Sequence, residues 1–268
     1  MSYLCIVKLY KVLNIIQYAF SRKGVKVMKT ILYRSSSRGH ANHGWLDSRH
    51  TFSFANYYNP DRIHFGALRV VNDDIVKGGE GFGTHPHDNM EIISIPLYGD
   101  LEHKDSMGHT EVIKTGEVQV MSAGSGITHS EYNANEDKPV NFFQIWVFPD
   151  TKNVKPRYDQ KAFDFIHNKN RLVQIVEPYN GKNDASSLWI HQDAWFSIGT
   201  FDKGNSLEYE LKKQGNGLFV MVIEGEFSVG DETLHYRDAI GLSDIGKIQI
   251  TANTENARIL LIEVPMNF

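Results

Sequence analysis

Two short histidine phrases constrain this chain more than anything else in it: Gly83-Thr84-His85-Pro86-His87 and, 42 residues after the second histidine, His129-Ser130-Glu131. Each phrase repeats at i, i+2, a spacing that in a β-strand sends both side chains to one face. Two such strands can bring three imidazoles and a carboxylate to a common point. A nitrogen and oxygen set without thiolate suits Fe(II), Mn, Ni, Co, Cu or Zn and leaves positions open for water or substrate. The pattern reads as a catalytic metal site formed by His85, His87, His129 and Glu131. The plainer reading, solvated imidazoles on a loop marked by Pro86, draws on the 12 histidines of the chain, among which one HxH can arise by chance. A second same-face pair in a similarly glycine-punctuated stretch weighs against it.

The surrounding sequence is that of an antiparallel β protein. From Thr30 onward, short β-prone runs alternate with glycine and Asn/Asp/Ser turns, as in Phe65–Val71 before Asn72-Asp73-Asp74 and Glu91–Leu97 before Tyr98-Gly99-Asp100. Turn signals recur about every eight to ten residues, the rhythm of a sandwich or small barrel, and long helical periodicity is absent. With 268 residues and 41% hydrophobic content, the chain can build two domains or one large all-β unit. A weak internal repeat favours two: Leu97–His103 resembles Ile223–Val229, and Lys114–Val118 loosely resembles Tyr236–Ile240. Counting from these landmarks, the positions of His85, His87, His129 and Glu131 fall on Leu211, Lys213, Thr251 and Asn253 in the second half. Only the first half carries a ligand set. The polar segment from Thr151 to about Asn170, with Pro156, reads as the connection. The expected organisation is an extension over 1–29, a metal-binding unit over 30–156 and a second unit without ligands over 157–268.

Charge and cysteine content narrow the function classes. The formal net charge of −4 comes without long single-sign runs, so no basic stripe invites nucleic acid directly. Cys5 is the only cysteine, which excludes an intrachain disulfide and a cysteine zinc cage and fits a reducing compartment, the cytoplasm by default. The apolar stretch over residues 1–28 is broken by Lys8 and Lys11, too broken for a membrane span, and lacks a signal peptide's cleavage pattern. It reads as an upstream extension of little functional weight, with Met28-Lys29-Thr30 resembling a natural start.

The residues at this point resemble the cupin superfamily and, more closely, the pirin family. The first cupin motif is matched by Gly79, His85, His87, Glu91 and Gly99, and the second by Gly116, Gly126, His129 and Asn133. The final gap of the first motif is one residue longer than usual. In the second, the gap after Gly116 is two longer, and Gly124 stands where proline is common. Pirin-like phrases add specificity: Arg38–Ser48, Phe52–Tyr58, Leu68–Asp74 and Met121–Glu131. The likeness covers about Thr30 to Phe268, and is similar in particular to bacterial pirins with quercetin 2,3-dioxygenase activity.

That resemblance implies an all-β bicupin monomer, two antiparallel β-barrel (jelly-roll) domains with one metal, usually Fe(2+), in the first barrel and none in the second. It also bears on which carboxylate binds. Glu91 shares strand parity with His85 and His87, but four extended residues put it roughly 13 Å of rise from His87. Pirins use the glutamate of the second phrase, so Glu131 is assigned as ligand and Glu91 as a supporting or structural carboxylate. The implied reaction is oxygen-dependent opening of a flavonol heterocycle with loss of carbon monoxide, the partners being a small aromatic substrate and O2, with Glu131 as general base. Eukaryotic pirins imply a second possibility, a non-enzymatic, iron-binding, redox-responsive regulatory protein. A metal-dependent isomerase or hydrolase on the same scaffold is a third.

A planar substrate needs an apolar cleft, for which Phe52, Phe54, Phe82, Met90 and Phe143 are candidates, although each aromatic more often serves a core. The remaining histidines, among them the His40, His43 and His50 cluster, read as loop or hydrogen-bonding residues. His103 reads as structural, on a strand without a same-face partner.

Overall fold

The computed structural model describes residues 27–181 and 186–268; the expectation for the N-terminal extension falls almost wholly outside them. Its strands, in chain order, are β1 (Lys29–Tyr33), β2 (Gly39–Asn42), β3 (Leu46–His50), β4 (Leu68–Val76), β5 (Gly81–His87), β6 (Glu91–Tyr98), β7 (Leu101–Asp105), β8 (Thr110–Ile113), β9 (Glu117–Ser122), β10 (Ile127–Asn133), β11 (Val140–Val147) and β12 (Arg157–Ala162). The second half continues with β13 (Val173–Pro178), β14 (Leu188–Ile190), β15 (Trp195–Phe201), β16 (Ser206–Glu210), β17 (Asn216–Glu224), β18 (Phe227–Val229), β19 (Glu232–Leu234), β20 (Ala239–Ser243), β21 (Lys247–Ala252) and β22 (Ala257–Pro265). Among the described residues the one helical piece is a 3-10 turn at Ser35–Ser37. None of their helices is long and apolar enough to cross a membrane. The all-β expectation holds.

Each half is a barrel made from one large and one small sheet. In the first, the seven-stranded sheet β12-β9-β6-β11-β4-β3-β2 covers the four-stranded sheet β5-β10-β7-β8; in the second, β1-β20-β17-β22-β15-β13-β14 accompanies β16-β21-β18-β19. Apart from the parallel β13/β14 pair, the ladders are antiparallel. The small sheets and the large sheets from β12 to β4 and from β1 to β15 correspond strand for strand, so the internal repeat is a repeated barrel; at the far edge of the large sheets β2 and β3 are antiparallel, whereas β13 and β14 are parallel. Gly99 and Gly225 both adopt φ +75 at matching turns, one after β6 and one after β17, a conformation that favours glycine.

Burial explains the near-continuous apolar runs of the central strands. On β6, Ile93, Ile95 and Leu97 point into a core shared with Phe196, Ile198, Phe219, Leu260 and Ile262 of the second barrel. The same core takes Phe143, Ile145 and Val147 from β11. The large sheets therefore pack face to face, and their other faces line the two barrel interiors. A large-to-small change in this shared layer, such as Ile262→Ala, costs about 2–5 kcal/mol.

Two strands cross the division expected at 156/157. β12 pairs with β9 of the first barrel, and β1 pairs with β20 of the second. Each occupies the same end position in its sheet, so the barrels exchange terminal strands. Composition could not reveal this, because β1 and β12 are short and the pairing of each is non-local.

Candidate metal centre

The two histidine phrases lie on adjacent strands. β5 carries His85 and His87, β10 carries His129 and Glu131, and in their ladder His129 stands opposite His85. The register then slips, with Glu131 opposite Phe82, so an extra residue of β5 is accommodated between the two pairs. Such a bulge bends the strand and re-aims its side chains. Gly81 makes the close approach possible, since a Cβ there would lie 2.3 Å from the Glu131 carbonyl oxygen.

This arrangement brings one ring nitrogen from each of His85, His87 and His129 within 4.8 Å of the others. Their ring centroids are 4.5 to 4.9 Å apart. Glu131 lies beside His129 in a second group of the same compactness, completed by His103. Its carboxylate is turned to the large sheet, where Ser94 Oγ donates to Oε1 at 3.0 Å and Gln144 Nε2 donates to Oε2 at 2.6 Å. Glu91 belongs to neither group. It is buried on β6, where it accepts a hydrogen bond from Ser122 Oγ at 2.7 Å.

The electrostatics keep two of these histidines in their coordinating form. Burial, aided by His85, pushes His87 down to about 4. Burial lowers His129 further, with His85, His87 and His103 adding to the effect. Neutral imidazoles each offer one lone pair. His85 Nδ1 donates to the Gly83 carbonyl at 2.8 Å, which leaves Nε2 as its acceptor, while His129 Nε2 is buried without a hydrogen-bond partner. An orphaned buried nitrogen is expensive unless something accepts its lone pair. Three convergent imidazoles with a carboxylate alongside fit a divalent cation. Burial raises Glu131 to about 7 against the opposing pull of Ser94 and Gln144.

A cleft of about 380 Å³ reaches this cluster, touching His85, Glu131 and Gln144. Trp45, Phe54, Phe82 and Trp146 form apolar walls; Ser48, His50 and Asp74 form a polar one. In that wall Ser48 Oγ bridges His50 Nε2, at 2.8 Å, and a carboxylate oxygen of Asp74. Burial raises Asp74 to about 7 and lowers His50 to about 4. Of the apolar residues expected in a cleft, Phe54 and Phe82 line it, whereas Phe52 and Phe143 belong to the shared core and Met90 packs beside Ile92 and Met121. The sequence reading overlooked Trp45 and Trp146. It also gave His103 too small a place: Asp105, two residues on and therefore on the same strand face, is its partner at 3.2 Å.

The second barrel has no such cluster among the described residues. Strand register replaces the landmark count made on the sequence. Since Glu131 pairs with His103 and Ile250 pairs with Val229, the counterparts of His129 and Glu131 are Ile248 and Ile250. Tyr209, opposite Ile248, then matches His85, and Leu211 matches His87. The count missed these because connections between landmark and strand differ in length between the halves.

Comparison with known proteins agrees with this architecture. The Pirin family model matches residues 32–147, and a model described as the quercetinase C-terminal cupin domain matches 179–264. A quercetin 2,3-dioxygenase of Escherichia coli K12 is 40% identical over 87% of this chain and 98% of its own length. A pirin-like protein of Caulobacter vibrioides is 38% identical over 84% of this chain and 95% of its own length. Among solved structures, the E. coli bacterial pirin YhhW in complex with nickel(II) superimposes with a TM-score of 0.82 at 38% identity, covering 88% of this chain and 99% of that one.

Proposed function

This chain belongs to the pirin family, and from that membership we propose that it is a metal-dependent dioxygenase that opens the heterocycle of a flavonol such as quercetin with O2, releasing carbon monoxide. The observation that carries the reading is the convergence of three imidazole nitrogens beside a buried glutamate at the end of an aromatic-walled cleft. The relatives named quercetin 2,3-dioxygenase and the nickel complex of an E. coli pirin support it. We assign His85, His87, His129 and Glu131 as ligands of one divalent ion, Fe(2+) by the family resemblance, with Ni(2+) also suited to the donor set.

The bound ion supplies a Lewis acid that orients the reacting groups. The chain's own residues do the rest. Trp45, Phe54, Phe82 and Trp146 sort for a planar aromatic and exclude water, and a cleft of about 380 Å³ is of a size that holds one small molecule. Glu131 takes the proton of the substrate's 3-hydroxyl. Burial favours the protonated form of this carboxyl, which suits it to accept that proton and later return it. Ser94 and Gln144 hold its two oxygens in place while it does so. Both atoms of O2 enter the product, and the ring carbon lost as carbon monoxide leaves a phenolic ester.

Aerobic incubation of the iron- or nickel-loaded protein with quercetin tests the reading. Loss of flavonol absorbance with stoichiometric carbon monoxide is the expected result; no turnover with either metal removes the flavonol assignment.

A further inference from the structure

Outside the four assigned ligands, one group of side chains is ordered as a chain that ends on a ligand. Asp105, at the end of β7, is fixed by its own hairpin: its Oδ1 accepts the backbone N–H groups of Met107 at 2.8 Å and His109 at 3.2 Å. Its Oδ2 accepts from His103 Nε2 at 3.2 Å and from His109 Nδ1 at 2.9 Å. A neutral imidazole has one N–H, and His103 gives it to Asp105, so its Nδ1 carries a bare lone pair. That nitrogen is 3.4 Å from Nδ1 of His129. Only His129 can be the donor there, which leaves the lone pair of His129 on Nε2, the buried nitrogen without a protein partner.

The plane of the His103 ring is fixed as well. Tyr158 of the exchanged strand β12 stacks on His103 with centroids 4.6 Å apart and planes 29° apart, and on His109 at 5.0 Å and 25°. Its hydroxyl donates to Gln160 at 2.6 Å. The strand that enters the first barrel from beyond its own half thus clamps the middle link of the chain.

We propose that His103 is a positioning residue for the metal centre: held by Asp105 and Tyr158, it fixes the tautomer and orientation of His129 so that the Nε2 lone pair is presented to the ion. His103, His129 and Glu131 also group tightly enough to be read as ligands. The hydrogen bonds argue otherwise, because one His103 nitrogen is committed to Asp105 and the other faces His129 Nδ1. The counterpart of His103 in the second barrel is Val229, where there is no ligand to orient. Partners that hold the second nitrogen of a metal-bound histidine strengthen affinity about ten- to a hundredfold.

The inference rests on the assignment of His129 as a ligand, and the experiment separates the two. Ni(II) affinity of the full chain is measured by chelator competition, with the visible spectrum of the Co(II)-loaded protein as a second readout and the melting temperature of the metal-free protein as a control. His103→Leu is expected to weaken Ni(II) binding about ten- to a hundredfold with an unchanged Co(II) coordination number. His103→Asn, whose amide oxygen can stand where Nδ1 accepts, is expected to recover most of that loss. Tyr158→Leu is expected to weaken binding less than His103→Leu does. Unchanged affinity in a folded His103→Leu protein overturns the proposal, as does His103→Asn matching His103→Leu in affinity. A Co(II) spectrum showing one ligand fewer overturns it in favour of direct ligation. Wild-type protein that binds neither Ni(II) nor Co(II) removes the metal centre itself, a different failure.

Discussion

The two barrels share a strand order and differ inside. In the first, the interior face of the large sheet presents Ser94, Gln119 and Gln144 in a row across β6, β9 and β11. The matching row in the second is Val220, Ile240 and Leu261, all fully buried in its apolar core. Across the interior, His85, His129, Glu131 and His103 face the polar row, whereas Tyr209, Ile248, Ile250 and Val229 fill the same positions of the second barrel. The backbone is indifferent to this exchange. A barrel of this size can be plugged with hydrocarbon, or it can hold a polar site whose groups satisfy one another. In the second barrel the buried carboxylate Glu263 uses its oxygens to accept from Tyr209 Oη, Asn216 Nδ2 and the backbone N–H groups of Lys212 and Lys213. With four donors already bound it has no lone pair to offer a cation. Glu131 has two.

The largest effect expected from this contrast is on metal content. His129→Ala removes the central imidazole, and bound metal should fall from one ion per chain to none by elemental analysis. Retention of a full ion would place the centre elsewhere, the second barrel included. Next is Glu131→Gln, which keeps the shape of the residue and removes its basicity. Turnover of the metal-loaded protein should drop about 10²- to 10⁴-fold while the metal stays bound more weakly. Full turnover with intact metal would exclude Glu131 as the base.

Exchanging one matched pair of interior residues comes third. Leu261→Gln puts an amide among Val220, Ile240 and Ile250, where nothing answers it, and should lower stability by about 3–5 kcal/mol in chemical denaturation. The reverse change, Gln144→Leu, should cost only about 1 kcal/mol in the metal-free protein, since Glu131 keeps Ser94 and can hold its proton. Its effect should appear in metal affinity at pH 7, lower by about tenfold, because deprotonating a less well-solvated carboxyl becomes harder. Equal costs for the two substitutions would mean that the interiors do not differ in the way described.

Much of this contrast was legible in the residues, and the part that was not has a common cause. The i, i+2 histidine phrases name the strands of the candidate site because strand parity is local. The β-rich runs and turn glycines name the fold class for the same reason. What sequence could not supply was register: which residue of β21 matches Glu131, that β1 and β12 change sheets, and that His103 and Tyr158 meet around His129. Each depends on pairings between strands far apart in the chain, and a shift of one residue would turn every side chain to the opposite face. The aromatic walls were half visible for a related reason. Phe52 and Phe54 differ by two positions and look equivalent, but they lie in the irregular stretch between β3 and β4, and one reaches the shared core while the other reaches the cleft.

The smallest effect follows from where the raised carboxyls sit. Asp74 at about 7, Glu91 at about 8 and Glu131 at about 7 all belong to the first barrel, and burial is the largest cause for each. An acid raised in the folded state binds its proton more tightly there than in the unfolded chain. Its contribution is therefore fully present below the unfolded value near 4 and is lost as pH climbs through 7 and 8. Below about 6.5 the lowered His50, His87 and His129 pull the other way, so the metal-free protein should melt at progressively lower temperature between about pH 7 and pH 8. Glu91→Gln, which keeps an acceptor for Ser122 and has no proton to lose, should flatten the upper part of that decline without touching the proposed metal ligands. Added Ni(II) should oppose the whole trend, since it favours deprotonated Glu131 and binds better as pH rises. A metal-free melting temperature that rises over this range, or a decline that Glu91→Gln leaves unaltered, would mean that these carboxyls are not held protonated in the barrel wall.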